Sequence, residues 1–116
     1  ILNHTGLPSD RSFDGLDQWK ANLEEFAEQP NTAIKISGIC VPGKKWTVEL
    51  NKGIILDTIN IFGYKKCMFA SNFPVDGLWA SFDEIYDGFK NITAEMSQNK
   101  IKCLFHDNAV KYYNPI

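Results

Sequence analysis

Three short polar clusters in this chain carry side chains able to bind a metal, move protons or orient a bound ligand. They are Asn3-His4-Thr5-Gly6, Lys35-Ile36-Ser37-Gly38 and Ser71-Asn72-Phe73-Pro74, the last followed by Asp76. His4 offers an imidazole, which ligates a metal or moves protons near neutral pH. Asp76 is a carboxylate able to take a proton from water. Asn72 can hydrogen-bond and position, but it has no basic atom. Lys35 can orient a carboxylate of a substrate or of another ligand group, and Ser37 is a further polar candidate at the same strand end. Trp46 and Trp79 are candidate pocket walls. Each also has a plain structural reading: an ion-paired lysine, a turn aspartate, packed tryptophans. What favours function is that all three clusters end an apolar or alternating run.

Those runs are the elements that must position them. Ile1 to Asn3 reads as the end of a strand and His4 to Gly15 as a Gly-, Pro-, Ser- and Asp-rich loop. Asp14 is expected to cap a helix running to about Glu28, with Leu16, Trp19, Leu23, Phe26 and Ala27 on one face. Thr32 to Ser37 alternates as a strand: Ile34 and Ile36 on one side, Ala33, Lys35 and Ser37 on the other. If the isoleucines face the helices, Lys35 points inward, where a charge needs a partner. A second helix spans about Thr47 to Phe62 and stops at Gly63. Cys67 to Ser71 is a third strand, and Asn72 to Ala80 a loop. Ser81 and Glu84 have capping-box spacing before a helix to about Met96. A last helical stretch covers roughly Gln98 to Tyr113, with a break expected near Asp107-Asn108 and His106 at the surface or between helices. Trp19, Phe26, Phe62, Phe82, Phe89 and Phe105 fall at helical spacings and are expected in the core.

The order β-α-β-α-β-α-α implies parallel βαβ units. In any such array the strands' C-terminal ends lie on one edge, which gathers the three clusters. No glycine-rich strand-to-helix turn is present, so a dinucleotide-binding sheet is not supported. The longer loops all follow strands, as in closed barrels, where those loops carry function.

Composition narrows the classes further. The chain has 116 residues, 44% hydrophobic and 22% charged, with net charge −2. A single arginine, Arg11, and two lysine doublets argue against nucleic acid. No apolar run approaches the roughly 20 residues needed to cross a membrane. Three cysteines, Cys40, Cys67 and Cys103, lack CxxC spacing. Free thiols suit a reducing, cytoplasmic location, and at least two are expected to pack as small hydrophobes. The chain opens without methionine inside an apolar run, so it is expected to be one segment, residues 1 to 116, of a longer protein.

At these residues the chain resembles the amidohydrolase-related metal-dependent hydrolases, the branch of lactone hydrolases and acyl-group decarboxylases. The matching pieces are Asn3 to Gly6 with Pro8, Pro30 to Gly38, Phe62-Gly63, Cys67 to Asp76, and Asn108-Ala109 with Tyr113. The resemblance implies a (β/α)₈ TIM barrel of which this chain is the C-terminal part, about strands six to eight with their helices. It makes His4 the strand-six histidine, a metal or substrate contact. Asn72 falls where metal-dependent members carry the aspartate that takes the proton from water. That departure leaves Asp76 or an upstream group as the base. The implied cofactor is a divalent metal, zinc or manganese; some lactonase members of the family are thought to work without one. The implied reaction is attack of water on a lactone, ester or amide carbonyl. The substrate would be a small molecule, and the full-length parent would be a homo-oligomer; the isolated segment is expected to be inactive. Two other readings stand beside it: a non-catalytic degenerate barrel module, in which Asn72 has replaced the base, and a decarboxylating lyase on the same scaffold.

Overall fold

The computed structural model describes residues 1–115. Its regular elements are α1 (Phe13–Ala27), β1 (Ile34–Ile36), α2 (Val48–Phe62), β2 (Cys67–Phe69), α3 (Phe82–Thr93), α4 (Gln98–Lys102) and α5 (Asn108–Tyr113). A π-helical turn, Cys103–Asp107, joins α4 to α5, with the Asn108 N–H reaching back to the Cys103 carbonyl. The result is a helix-rich α/β unit on a two-stranded parallel sheet, in which Ile34 lies opposite Cys67, Lys35 opposite Met68 and Ile36 opposite Phe69.

The strands are shorter than the sequence suggests. Ile1 to Asn3 contributes one parallel bridge, Leu2 to Ile34, through Leu2 N–H to the Ala33 carbonyl (2.8 Å) and Lys35 N–H to the Leu2 carbonyl (2.9 Å). The backbone turns left-handed straight after it, with φ of 55° at His4 and 56° at Thr5, and extended pairing cannot continue. β1 and β2 likewise lose their outer residues, although Ala70 N–H still reaches the Ile36 carbonyl at 3.1 Å.

Helix boundaries follow side-chain capping. Ser12, not Asp14, caps α1: its hydroxyl accepts the Gly15 N–H at 3.1 Å. Asp10 fixes Ser12 by accepting its N–H at 3.0 Å. Asp14 instead sits in the first turn, where its charge faces the positive end of the helix dipole. Thr47 caps α2, and Gly63 closes it with its N–H on the Ile59 carbonyl. The Ser81–Glu84 capping box forms with both of its bonds. α3 ends at Thr93 rather than Met96, because Ser97 starts the next helix as its own cap.

Ile34, Ile36, Cys67 and Phe69 join Trp19, Leu23, Ile54, Ile55, Ile85, Phe89 and Leu104 in one apolar core. The Phe69 and Phe89 rings stack at 4.3 Å, and Phe105 leans on Phe69 at 4.8 Å. Phe82 departs from expectation. As the first residue of α3 it stays 47% exposed, packed edge-on to Phe73 at 5.6 Å. The cysteines are free: Cys67 is buried, Cys40 and Cys103 half-buried. His106 is exposed beside Asp107. No break occurs near Asp107-Asn108; the π turn carries the chain through.

Much apolar surface is left bare. Leu7, Phe13, Val75 and Leu78 are exposed, and β2 has no neighbour beyond β1 among the described residues. The 116-residue chain alone is therefore expected to self-associate or precipitate. Size exclusion with light scattering, plus a thermal melt, checks this. A sharp monomer peak with cooperative melting is the result that sinks it.

Candidate active site

The C-terminal edge of the parallel array brings His4 and Ser37 together. His4 Nδ1 lies 2.9 Å from Ser37 Oγ. In the pairing register Leu2 sits beside Ile34, so His4 comes level with β1's last residue just as the backbone turns. Non-glycine residues in left-handed backbone cost about 1–2 kcal/mol each, and here His4, Thr5 and Leu7 are in succession around Gly6. The turn is held by the Trp19 indole N–H donating to the Thr5 carbonyl (2.7 Å). Thr5 Oγ1 also donates to the Lys35 carbonyl (3.4 Å). Gly38 completes the arrangement: at φ +60°, a Cβ there would fall 2.6 Å from His4 Nδ1.

A second group forms where β2 ends. Asn72 Nδ2 donates to Asp76 Oδ1 at 2.8 Å, and Asp76 is only 4% exposed. A carboxylate next to the amide requires the amine end to face it, so the Asn72 carbonyl oxygen is the end left available as an acceptor. Cys40 lies against Asp76. Burial first, then the charge and hydrogen bond of Asp76, push its thiol up to about 12, with Arg11 acting in the opposite direction. Both effects oppose formation of a reactive thiolate at Cys40. No hydrogen bond joins this group to the His4–Ser37 pair among the described residues.

The remaining candidates sit apart from both. Lys35 is half-buried, and its ammonium lies 5.5 Å from the Tyr113 ring centroid, a cation–π contact with α5. Trp46, expected as a pocket wall, is 4% exposed and packs edge-on to Phe89 at 5.8 Å. Its six-membered ring fills the space beside Gly88, where a Cβ would come within 2.3 Å. The half-buried Trp79 meets Trp46 through the backbone, the Trp46 N–H donating to the Trp79 carbonyl (3.3 Å). A cleft of about 630 Å³ lies between α1 and the loop before it, lined by Leu2, Leu7, Pro8, Trp19 and Phe26, and it includes none of the candidates.

Sequence reasoning missed Arg11. Its guanidinium donates to the Pro8 carbonyl, the Leu50 carbonyl (3.1 Å), the Ile39 carbonyl (2.9 Å) and, twice, Asn51 Oδ1 (3.2 Å). It ties the loops after the first two strand ends to α2, and its donors are spent in doing so. A signal was available in Asn51, a polar residue three before Ile54 on the apolar face of α2.

A metal would find little here. Among the described residues no three His, Cys, Asp or Glu side chains converge. His4 has one ring nitrogen committed to Ser37, and Asn72 brings only a neutral amide. These residues do not make a metal site by themselves.

The array is thus of the βα class that carries its polar groups, a histidine foremost, on the C-terminal edge of parallel strands. The amidohydrolase family profile matches residues 1–114, and the chain belongs to that family. The uncharacterized protein y4mH of Sinorhizobium fredii is 43% identical over 115 residues, covering 97% of this chain and 38% of its own length. L-fucono-1,5-lactonase of Burkholderia multivorans is 34% identical over 96 residues, 73% of this chain and 32% of that enzyme. An amidohydrolase of Burkholderia multivorans, crystallised with bound zinc, superposes with a TM-score of 0.90 at 26% identity, covering 99% of this chain and 43% of that one. The chain thus spans less than half the length of each of these proteins.

Proposed function

We propose that this chain is the C-terminal part of a (β/α)₈ barrel hydrolase that adds water to the carbonyl of a small lactone, ester or amide. The observation that carries the reading is His4, held against Ser37 at the strand edge of an amidohydrolase-family chain. The lactonase name of one relative favours a lactone.

In this reading His4 lies against the substrate carbonyl and stabilises the oxyanion that forms as water attacks. The free carbonyl oxygen of Asn72 accepts a hydrogen bond from the attacking water and orients it. Asp76 fixes that amide. Asn72 cannot take the proton, so the base is Asp76 or a carboxylate from the upstream strands. Lys35 is a structural cation against Tyr113. Free thiols at Cys40, Cys67 and Cys103 support a cytoplasmic setting.

The test is a lactone-hydrolysis screen with metal analysis on the full-length protein and its Asn72→Asp variant. Hydrolysis in the parent is expected, with little gain in the variant, because Asp76 or an upstream carboxylate already serves as base. A rise of about 100-fold, the usual contribution of a positioned base, would instead put the base position at residue 72. Robust activity without such a rise supports the base at Asp76 or upstream. No activity and no metal in either protein would favour the non-catalytic module, which the amide at Asn72 also suggests.

A further inference from the structure

Ser37 offers more than shape. It is only 2% exposed, and among the described residues its hydroxyl has one hydrogen-bond partner, His4 Nδ1. A buried hydroxyl whose proton finds no acceptor carries a penalty of about 1–3 kcal/mol. No other acceptor among the described residues engages it, and the side chain is closed to bulk solvent. Donation to Nδ1 is the arrangement that satisfies it.

We infer that Ser37 is a positioning residue that donates its hydroxyl proton to Nδ1 of His4 and so holds the neutral ring with its proton on Nε2. The inference rests on the reading of His4 as the group facing the substrate carbonyl. In this tautomer His4 presents an N–H donor, suited to a carbonyl oxygen gaining negative charge, and not the lone pair that a metal ligand or a general base would need. The alternative, Nδ1–H donating to Ser37 Oγ, would free the Nε2 lone pair but strand the Ser37 proton. Rotating the ring by 180° would put a carbon against the hydroxyl and strand it too. The backbone defends the arrangement: His4 is fixed by its left-handed turn, and Gly38 leaves only enough space for the ring.

The tautomer is read by long-range ¹H–¹⁵N correlation on the full-length protein labelled with ¹⁵N-histidine, at a pH about two units above the ordinary imidazole pKa. The His4 signals are those lost in His4→Gln. Expected is a protonated Nε2 and an unprotonated Nδ1 shifted by the hydrogen bond it accepts. In Ser37→Ala, Nδ1 moves to the position of an unbonded ring nitrogen. A proton on Nδ1 in the wild type overturns the inference, as does an Nδ1 signal unmoved in Ser37→Ala. Should Ser37→Ala fail to fold, the wild-type tautomer alone decides. Lactone hydrolysis, measured on the same samples, separates the two ideas. Activity with Nδ1–H retains the reaction and discards the tautomer; Nε2–H without activity does the reverse.

Discussion

Gly38→Ala is expected to lower kcat/KM of the full-length protein about 100-fold while costing only a modest amount of stability. The added Cβ would lie 2.6 Å from His4 Nδ1 and 2.8 Å from Cγ, inside any real carbon contact. The ring cannot yield freely, because Ser37 holds one end and the left-handed turn at His4 and Thr5 holds the other. A shift approaching 1 Å in a group that faces the reacting carbonyl costs about 100-fold. Backbone strain at φ +60° adds about 1–2 kcal/mol, seen as a fall in Tm of several degrees. Gly43 separates the two effects. It too has positive φ, +81°, but nothing lies within 4 Å of its would-be Cβ. Gly43→Ala should lose comparable stability and keep its kcat/KM. If Gly38→Ala keeps its rate as well, His4 does not face the chemistry.

The second large effect is on stability. Asn108 is 4% exposed, and its Nδ2 donates to the Tyr64 carbonyl at 2.6 Å and the Cys67 carbonyl at 2.7 Å. The two bonds fasten α5 to the start of β2. In Asn108→Asp the donor becomes a carboxylate facing two carbonyl oxygens. Each orphaned carbonyl costs about 1–3 kcal/mol, and the buried charge adds repulsion. A total loss of about 3–5 kcal/mol is expected, as for other uncompensated buried charges. Urea unfolding at neutral pH measures it. A change below about 1 kcal/mol would mean that the two carbonyls find water and that α5 is not held by this residue.

Local signals carried most of the architecture. The capping box at Ser81 and Glu84, the stop at Gly63 and the alternation of Ile34 and Ile36 are each decided by neighbours within a few residues, so they could be read directly. The errors share a cause. Ser12 outcompetes Asp14 as a cap because Asp10 pre-forms the turn ahead of it. Phe82 has the spacing of a core residue but sits on the first turn of its helix, where little covers it. Trp46 lies in a loop by sequence, yet Gly88 opens a slot for its ring 42 positions away. The site shows the same division. His4 stood out by residue type and position at a strand end. Its contact with Ser37 depends on the register between Leu2 and Ile34, and the Arg11 fan on three separate segments meeting. The first leaves no trace in local spacing, and the second only the polar Asn51 on the apolar face of α2.

The π turn at Cys103–Asp107 makes length a constraint of its own. It holds one more residue than an α-helical turn would, and that residue sets the rotation of everything after it. Removing any one of the five would let the segment relax to α-helix, swing α5 by about 100° and draw it back about 1.5 Å. Asn108 would leave the two carbonyls it fastens, and Tyr113 would leave Lys35. The closing helix therefore works as a ruler as much as a lid. Residues 103 to 107 can change in kind, within the limits set by the buried Leu104, more readily than they can change in number.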